Sequence, residues 1–151
     1  MGVISYYFIS TEDELNQCDY INQSPDQYFK SADIKGLDTV KIALLQSLLT
    51  GEDFYESLEQ QEIICDELDQ GPLMIKIPEK LILELAQFRD QDLEPLVNDW
   101  IQEEEFTYDK FDVPALKKIF LDIQSLSIQA QSEQKQCYLW MKVFSELDPI
   151  H

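Results

Sequence analysis

The groups that could carry chemistry in this chain are one histidine, three cysteines and a large excess of carboxylates. The histidine, His151, is the last residue. A fixed base-to-nucleophile geometry is hard to hold there, so histidine-dependent dyads and triads are excluded. Cys18, Cys65 and Cys137 are odd in number and far apart. They lack the CxxC or Cys/His spacing of a zinc site or a disulfide framework, and read as small core residues in a reducing compartment. The four glycines are scattered and form no GxGxxG or Walker loop to cradle a phosphate.

Carboxylate chemistry remains. Thirty Asp and Glu stand against eleven Lys and Arg, for a net charge of −19. Two carboxyls can act as acid and base when burial separates their pKa values. With thirty present, a pair at suitable distance is expected by chance. Asp66–Gly71 lacks the alternating acids and closing glutamate of a calcium loop. No metal, cofactor or catalytic residue is expected. A field of this sign repels nucleic-acid phosphates and anionic membranes and attracts basic proteins. The expected partner is therefore a basic protein, with no direct nucleic-acid or membrane contact.

The acids are unevenly placed. Five precede the first lysine within residues 1–29, while residues 52–69 and 90–109 carry eight each and no cation. Asp53, Glu56 and Glu59 in the second stretch, and Glu103, Glu104, Glu105 and Asp109 in the third, are the candidate binding residues. Tyr108 and Phe111 lie among the latter, in a loop between two helices, and are the candidate exposed anchors. If two stretches share one face, their field would speed capture of a basic partner by about 10- to 1000-fold at low salt. Trp100 and Trp140 lie on apolar stripes and read as core.

The elements that must position these residues follow from pattern. Val3–Ile9 and Cys137–Phe144 are β-branched and aromatic runs and read as strands, and Leu73–Ile77 as a third. Thr11 to Glu14 is a capping box that opens a short helix. Ser24-Pro25 signals another, with Tyr28 and Phe29 in the core. Asp38 caps a helix to Thr50 stopped by Gly51, with Leu37, Val40, Leu44 and Leu48 as its stripe and Ile42, Ala43, Leu45 and Leu49 widening it.

Residues 52–70 fit a helix followed by a short strand or turn. Pro78 starts a helix carrying Leu81, Ile82, Leu85 and Phe88. Asp92 caps a helix over 92–105, leaving Glu103–Glu105 at a C-terminus where the macrodipole opposes them. Asp112 caps the longest helix, 113–134, with Phe111 and Leu116 as a hydrophobic staple. Residues 145–151 read as a flexible tail. The expected fold is one α+β domain over 1–151, mainly helical, with a small sheet formed by the N- and C-terminal strands.

No apolar run reaches the roughly 18–20 residues that span a bilayer, and the start lacks the basic region of a signal peptide. The expected location is cytoplasmic.

The opening Met-Gly-Val-Ile-Ser-Tyr-Tyr-Phe resembles that of the YfbM-like family of small bacterial proteins of unknown function. Ala32–Asp38 leading to Leu48-Leu-Thr-Gly51 is similar to that family's aspartate-rich lead into a helix. Asn98–Phe106 and Cys137–Trp140 resemble related bacterial proteins that open the same way. The resemblance implies an α+β bacterial cytoplasmic domain and carries over no catalytic residue. Size and charge suggest, by analogy with small acidic immunity proteins, an inhibitor that neutralises a cationic toxin or nuclease. A carboxylate-dependent or metal-assisted hydrolase and a housekeeping adaptor stand as alternatives.

Overall fold

A computed structural model describes residues 2–67, 72–106 and 111–144. The expected tail at 145–151, and Tyr108 and Asp109, lie outside them. The described elements run β1 (Gly2–Ser10), α1 (Glu12–Asn16), β2 (Ser31–Asp33), α2 (Thr39–Thr50), α3 (Phe54–Glu59), β3 (Glu62–Asp66), β4 (Leu73–Lys76), α4 (Glu79–Gln87), α5 (Leu93–Ile101), α6 (Val113–Glu133) and β5 (Gln136–Phe144). The strands form one antiparallel sheet in the order β2-β1-β5-β4-β3. This is the α+β class expected. The first and last strands pair over their full length, from Gly2 opposite Phe144 to Ser10 opposite Gln136, and form the middle of a sheet wider than two strands.

Strand alternation divides the sheet into two unequal faces. Tyr7, Ile9, Ile75, Cys137 and Leu139 face the helices and join Leu45, Leu85, Val97, Trp100, Phe120 and Ile123 in the main core. Phe8, Met74, Tyr138 and Trp140 face the other way and are covered by Leu15 of α1 and by Cys18, Tyr20 and Phe29 beyond it. Phe8 stacks between Phe29 and Tyr138 at 5.1 and 5.4 Å, and the Trp140 indole donates to the Tyr20 carbonyl at 2.7 Å. Both tryptophans are core, as their stripes implied.

The helix ends obey local chemistry. Thr11 and Glu14 form the reciprocal capping box of α1. Asp38 accepts from the Lys41 amide and Gly51 closes α2 at φ 78°, a left-handed conformation natural to glycine. Asp112 accepts from the Ala115 amide at 2.8 Å to start α6.

Four expectations are corrected. Tyr28 is exposed; only Phe29 packs inward, because a single 3₁₀ turn (Pro25–Gln27) offers one inward side. On α2 the deeply buried positions are Lys41, Ile42, Ala43, Leu45 and Gln46, while Val40, Leu44 and Leu48 are half-buried. Neighbouring helices pack on α2 from several sides, as so broad an apolar face implied, and this burial hides the phase of the deepest positions. Helix α5 ends at Ile101, and Glu104–Phe106 forms a separate 3₁₀ turn. Glu103–Glu105 therefore do not occupy a regular helix C-terminus. Finally, Phe111 is half-buried against the core rather than an exposed anchor. Its place before the Asp112 cap and its edge contact with Phe106, 5.7 Å between centroids, turn it inward.

Candidate functional site

The stretch 52–67 is built around one carboxylate. A six-residue helix such as α3 is far below the length at which helices persist alone in water, so tertiary contacts must hold it. Asp53 caps it through the Tyr55 amide at 3.0 Å. Inward, Glu52 accepts from Gln46 Nε2 at 2.7 Å, Ser57 Oγ at 3.1 Å, Gln60 Nε2 at 3.1 Å and Lys80 Nζ at 3.0 Å. Its side chain is only 10% exposed. These donors, Gln46 foremost and then Lys80, hold the Glu52 carboxyl down to about 2 against the opposing effect of burial. The Gln46 amide cannot be turned over without setting its oxygen against those of Glu52 and Gln60. Its own Oε1 is buried and unpartnered.

With Glu52, Ser57 and Leu58 turned inward, α3 presents Asp53, Tyr55, Glu56 and Glu59 to solvent. Tyr55 is 68% exposed, its ring edge-on to Phe54. The chain then enters β3, where Glu62, Ile63 and Asp66 are exposed, Ile63 by 62%. Residues 53–66 thus place one aromatic and one aliphatic side chain in solvent among five exposed acids. Composition had pointed to the acids here but had not singled out these two anchors. The cap at Asp53 was the available signal: counted from it, Tyr55, Glu56 and Glu59 share one arc of the helix and Phe54, Ser57 and Leu58 the other.

The stretch 90–106 is assembled differently. Trp100 is fully buried and its indole donates to the Lys41 carbonyl at 3.0 Å. Phe106 meets Trp100 edge-on at 5.7 Å, and the Lys41 ammonium lies 5.4 Å from the Phe106 ring centre and 3.2 Å from Asp38. Glu104 and Glu105 are exposed and Glu103 is half-buried. Their apolar neighbours all point inward.

The two stretches do not merge. Gln61 Nε2 donates to the Thr39 carbonyl at 2.9 Å, while Trp100 reaches the Lys41 carbonyl. The side chains of Gln46 and Ser47 meet Glu52, while those of Leu48 and Leu49 line a cleft with Asp92 and Leu96. At about 100° per residue these two pairs point to different sides of α2, so α3 and α5 meet it on different sides. Asp53, Glu56 and Glu59 form one group, and Glu103, Glu104 and Glu105 another.

Two of the clefts hold further polar clusters. On the outer sheet face, Glu62, Lys76 and Tyr138 are cross-strand neighbours. With Glu12, Leu15 and Ile64 they line a cleft of about 420 Å³. Burial first, then the Glu12 and Glu62 carboxylates, push the Tyr138 phenol up to about 12, so it stays protonated as a hydrogen-bond donor. The second cleft, about 410 Å³, joins α2, α4 and α5 and sets Arg89 beside Glu84 and Asp92 over Leu48 and Leu49. No group of three or more His, Cys, Asp or Glu gathers to hold a metal among the described residues. Burial raises all three thiols, Cys137 to about 11. At neutral pH they remain protonated rather than activated as nucleophiles. Among the described residues no helix is long and apolar enough to cross a membrane. No family model, curated protein or solved structure matches the chain, and the resemblance to the YfbM-like family rests on the residues quoted for it.

Proposed function

We propose that this chain is an acidic binding protein that neutralises a cationic protein, of the toxin or nuclease kind, through the α3–β3 surface. The observation that carries the reading is the pair of exposed anchors, Tyr55 and Ile63, set among exposed Asp53, Glu56, Glu59, Glu62 and Asp66. An apolar centre with a charged rim is the arrangement by which interfaces gain both residence time and partner choice. The surrounding field, from a net charge of −19, steers basic partners toward it and like-charged proteins away. The Glu52 hub supports the same reading, because it fixes a helix too short to order itself and so pre-forms the surface.

The test is affinity capture from the native host at about 50 and about 200 mM salt, a range over which screening of exposed charges rises. It compares the wild-type chain with a Tyr55→Ala, Glu56→Gln, Glu59→Gln variant. The expected result is a basic protein retained by the wild type at low salt, released at high salt and not retained by the variant. Capture of that protein equally well by the variant, or of no basic protein at either salt, would overturn the proposal.

A further inference from the structure

Strand β3 ends the sheet, and among the described residues no strand is paired to its outer side. Its inner side is committed to β4, and the Glu67 amide continues that ladder by donating to the Pro72 carbonyl at 2.9 Å. Alternation in an antiparallel pair then turns the amide and carbonyl of Asp66 to the open side. Ile63 shares the register of Ile75, Leu139 and Tyr7 and so stands on the helix side of the sheet, the side on which α2 and α3 lie. The opposite edge differs. Strand β2 has three residues and is flanked by Lys30 and Lys35.

We infer that β3 receives an extended, basic segment of the partner as a sixth strand of the sheet. This rests on the α3–β3 reading and names how the partner is held. Backbone pairing supplies a mode of attachment that needs no deep pocket, and alternate side chains of the added strand meet the sheet edge on each face. Charge selects the occupant. Glu62, Asp66 and Glu67 are exposed along the strand, so a second copy of this chain would set like charges opposite one another. A strand with lysines or arginines at those positions would set opposite charges there. Strand β2 carries one acid, Asp33, which Lys35 already pairs at 3.7 Å, so its edge offers a basic strand far less opposite charge than β3 does.

The test uses a lysine–valine alternating peptide, its glutamate–valine counterpart, and a lysine–valine peptide N-methylated at every residue so that it can pair along neither edge. Binding is followed by backbone NMR on the whole chain, with amide exchange read at Ile63, Ile64 and Asp66. The expected result is binding of the first peptide alone, with slowed exchange of the Asp66 amide. Asp66→Pro removes the outward amide and Asp66→Asn removes only the charge, so the proline variant should bind about tenfold more weakly than the asparagine variant. Should the proline variant unfold, the N-methylated peptide on the wild-type chain decides the matter. Equal binding by the methylated peptide, or by the two variants, would overturn strand addition. If shifts then moved to Tyr55, Glu56 and Glu59, the acidic surface would still stand as a docking site. Failure of every basic peptide to bind overturns strand addition, while host capture judges the broader reading separately.

Discussion

Residues 52–67 and 90–106 each carry seven carboxylates and no lysine or arginine, yet they are constructed in opposite ways. In 90–106 the aromatics are structural. Trp100 is sealed under α2 and Phe106 wedges beside it. In 52–67 the inward contacts are polar, through Glu52, Ser57 and Gln60, and Tyr55 and Ile63 are left in solvent. Acid content sets the sign of a partner; the direction of the apolar side chains decides whether a surface can grip one. A stretch whose apolar residues are already used in the core can only repel or attract at a distance.

The largest expected effect tests the inward half of that contrast. Trp100→Ala should lower global stability by about 3–5 kcal/mol, the range for emptying a large aromatic site in a core. It also leaves the Lys41 carbonyl without its indole donor. Urea denaturation measures it. A loss near zero would mean that 90–106 is attached no more firmly than 52–67, and the comparison would collapse.

Next comes the polar hub. Glu52→Ala should cost about 1–3 kcal/mol, since buried donors lose their acceptor. The loss should be local, seen as faster amide exchange in α3 while β1 and β5 remain protected. The pH dependence carries a sign. The Glu52 carboxyl lies at about 2 in the folded chain against an ordinary 4.5. Its contribution is therefore complete above about 4.5 and is lost as pH falls toward 2. Because other carboxylates titrate in that window, the measurement is the difference between wild type and Glu52→Gln in unfolding midpoint across pH 5 to about 2. That difference should shrink as the pH drops. A constant difference would show that Glu52 does not titrate as the hub geometry requires.

The contrast also marks where sequence reading reached and where it stopped. β1, β5, the Asp38 and Gly51 ends of α2 and the Asp112 start of α6 were legible because each has a local cause: β-branched runs, a capping side chain, a left-handed glycine. β2 was not, since Ser31–Asp33 has no pattern of its own and is a strand only because it pairs with Tyr6–Phe8. Nor was the burial of Lys41 and Gln46: Lys41 pairs locally with Asp38 but lies over the distant Phe106 ring, and Gln46 is met by Glu52 and Gln60, which follow the helix. The candidate surface was half legible. Asp53, Glu56 and Glu59 announced themselves by charge, whereas the anchors were assigned to Tyr108 and Phe111. The spacing from the Asp53 cap already put Tyr55 on the arc of Glu56 and Glu59 and Phe54 on that of Ser57 and Leu58; the inward contacts of Glu52 and Ser57 then fix which arc faces out.

The smallest effects on stability should carry the largest consequences for binding. Tyr55→Ala, and Glu56→Gln with Glu59→Gln, alter exposed side chains and should each change stability by no more than about 0.5 kcal/mol. Against the captured basic partner they should separate kinetically. Loss of the tyrosine should raise the dissociation rate, because it removes the packed anchor. Loss of the two charges should lower the association rate and flatten its salt dependence, because it removes steering. Glu104→Gln with Glu105→Gln changes the same number of charges on the α5 side of α2, where no large hydrophobic side chain is exposed among the described residues of 90–106. It should reduce association slightly through the total field and leave dissociation unchanged. Stopped-flow and surface-binding kinetics on the four proteins separate these outcomes. An effect of the Glu104 and Glu105 pair on dissociation as large as that of Tyr55 would place the contact on the 3₁₀ turn after α5 and reverse the assignment of the two stretches.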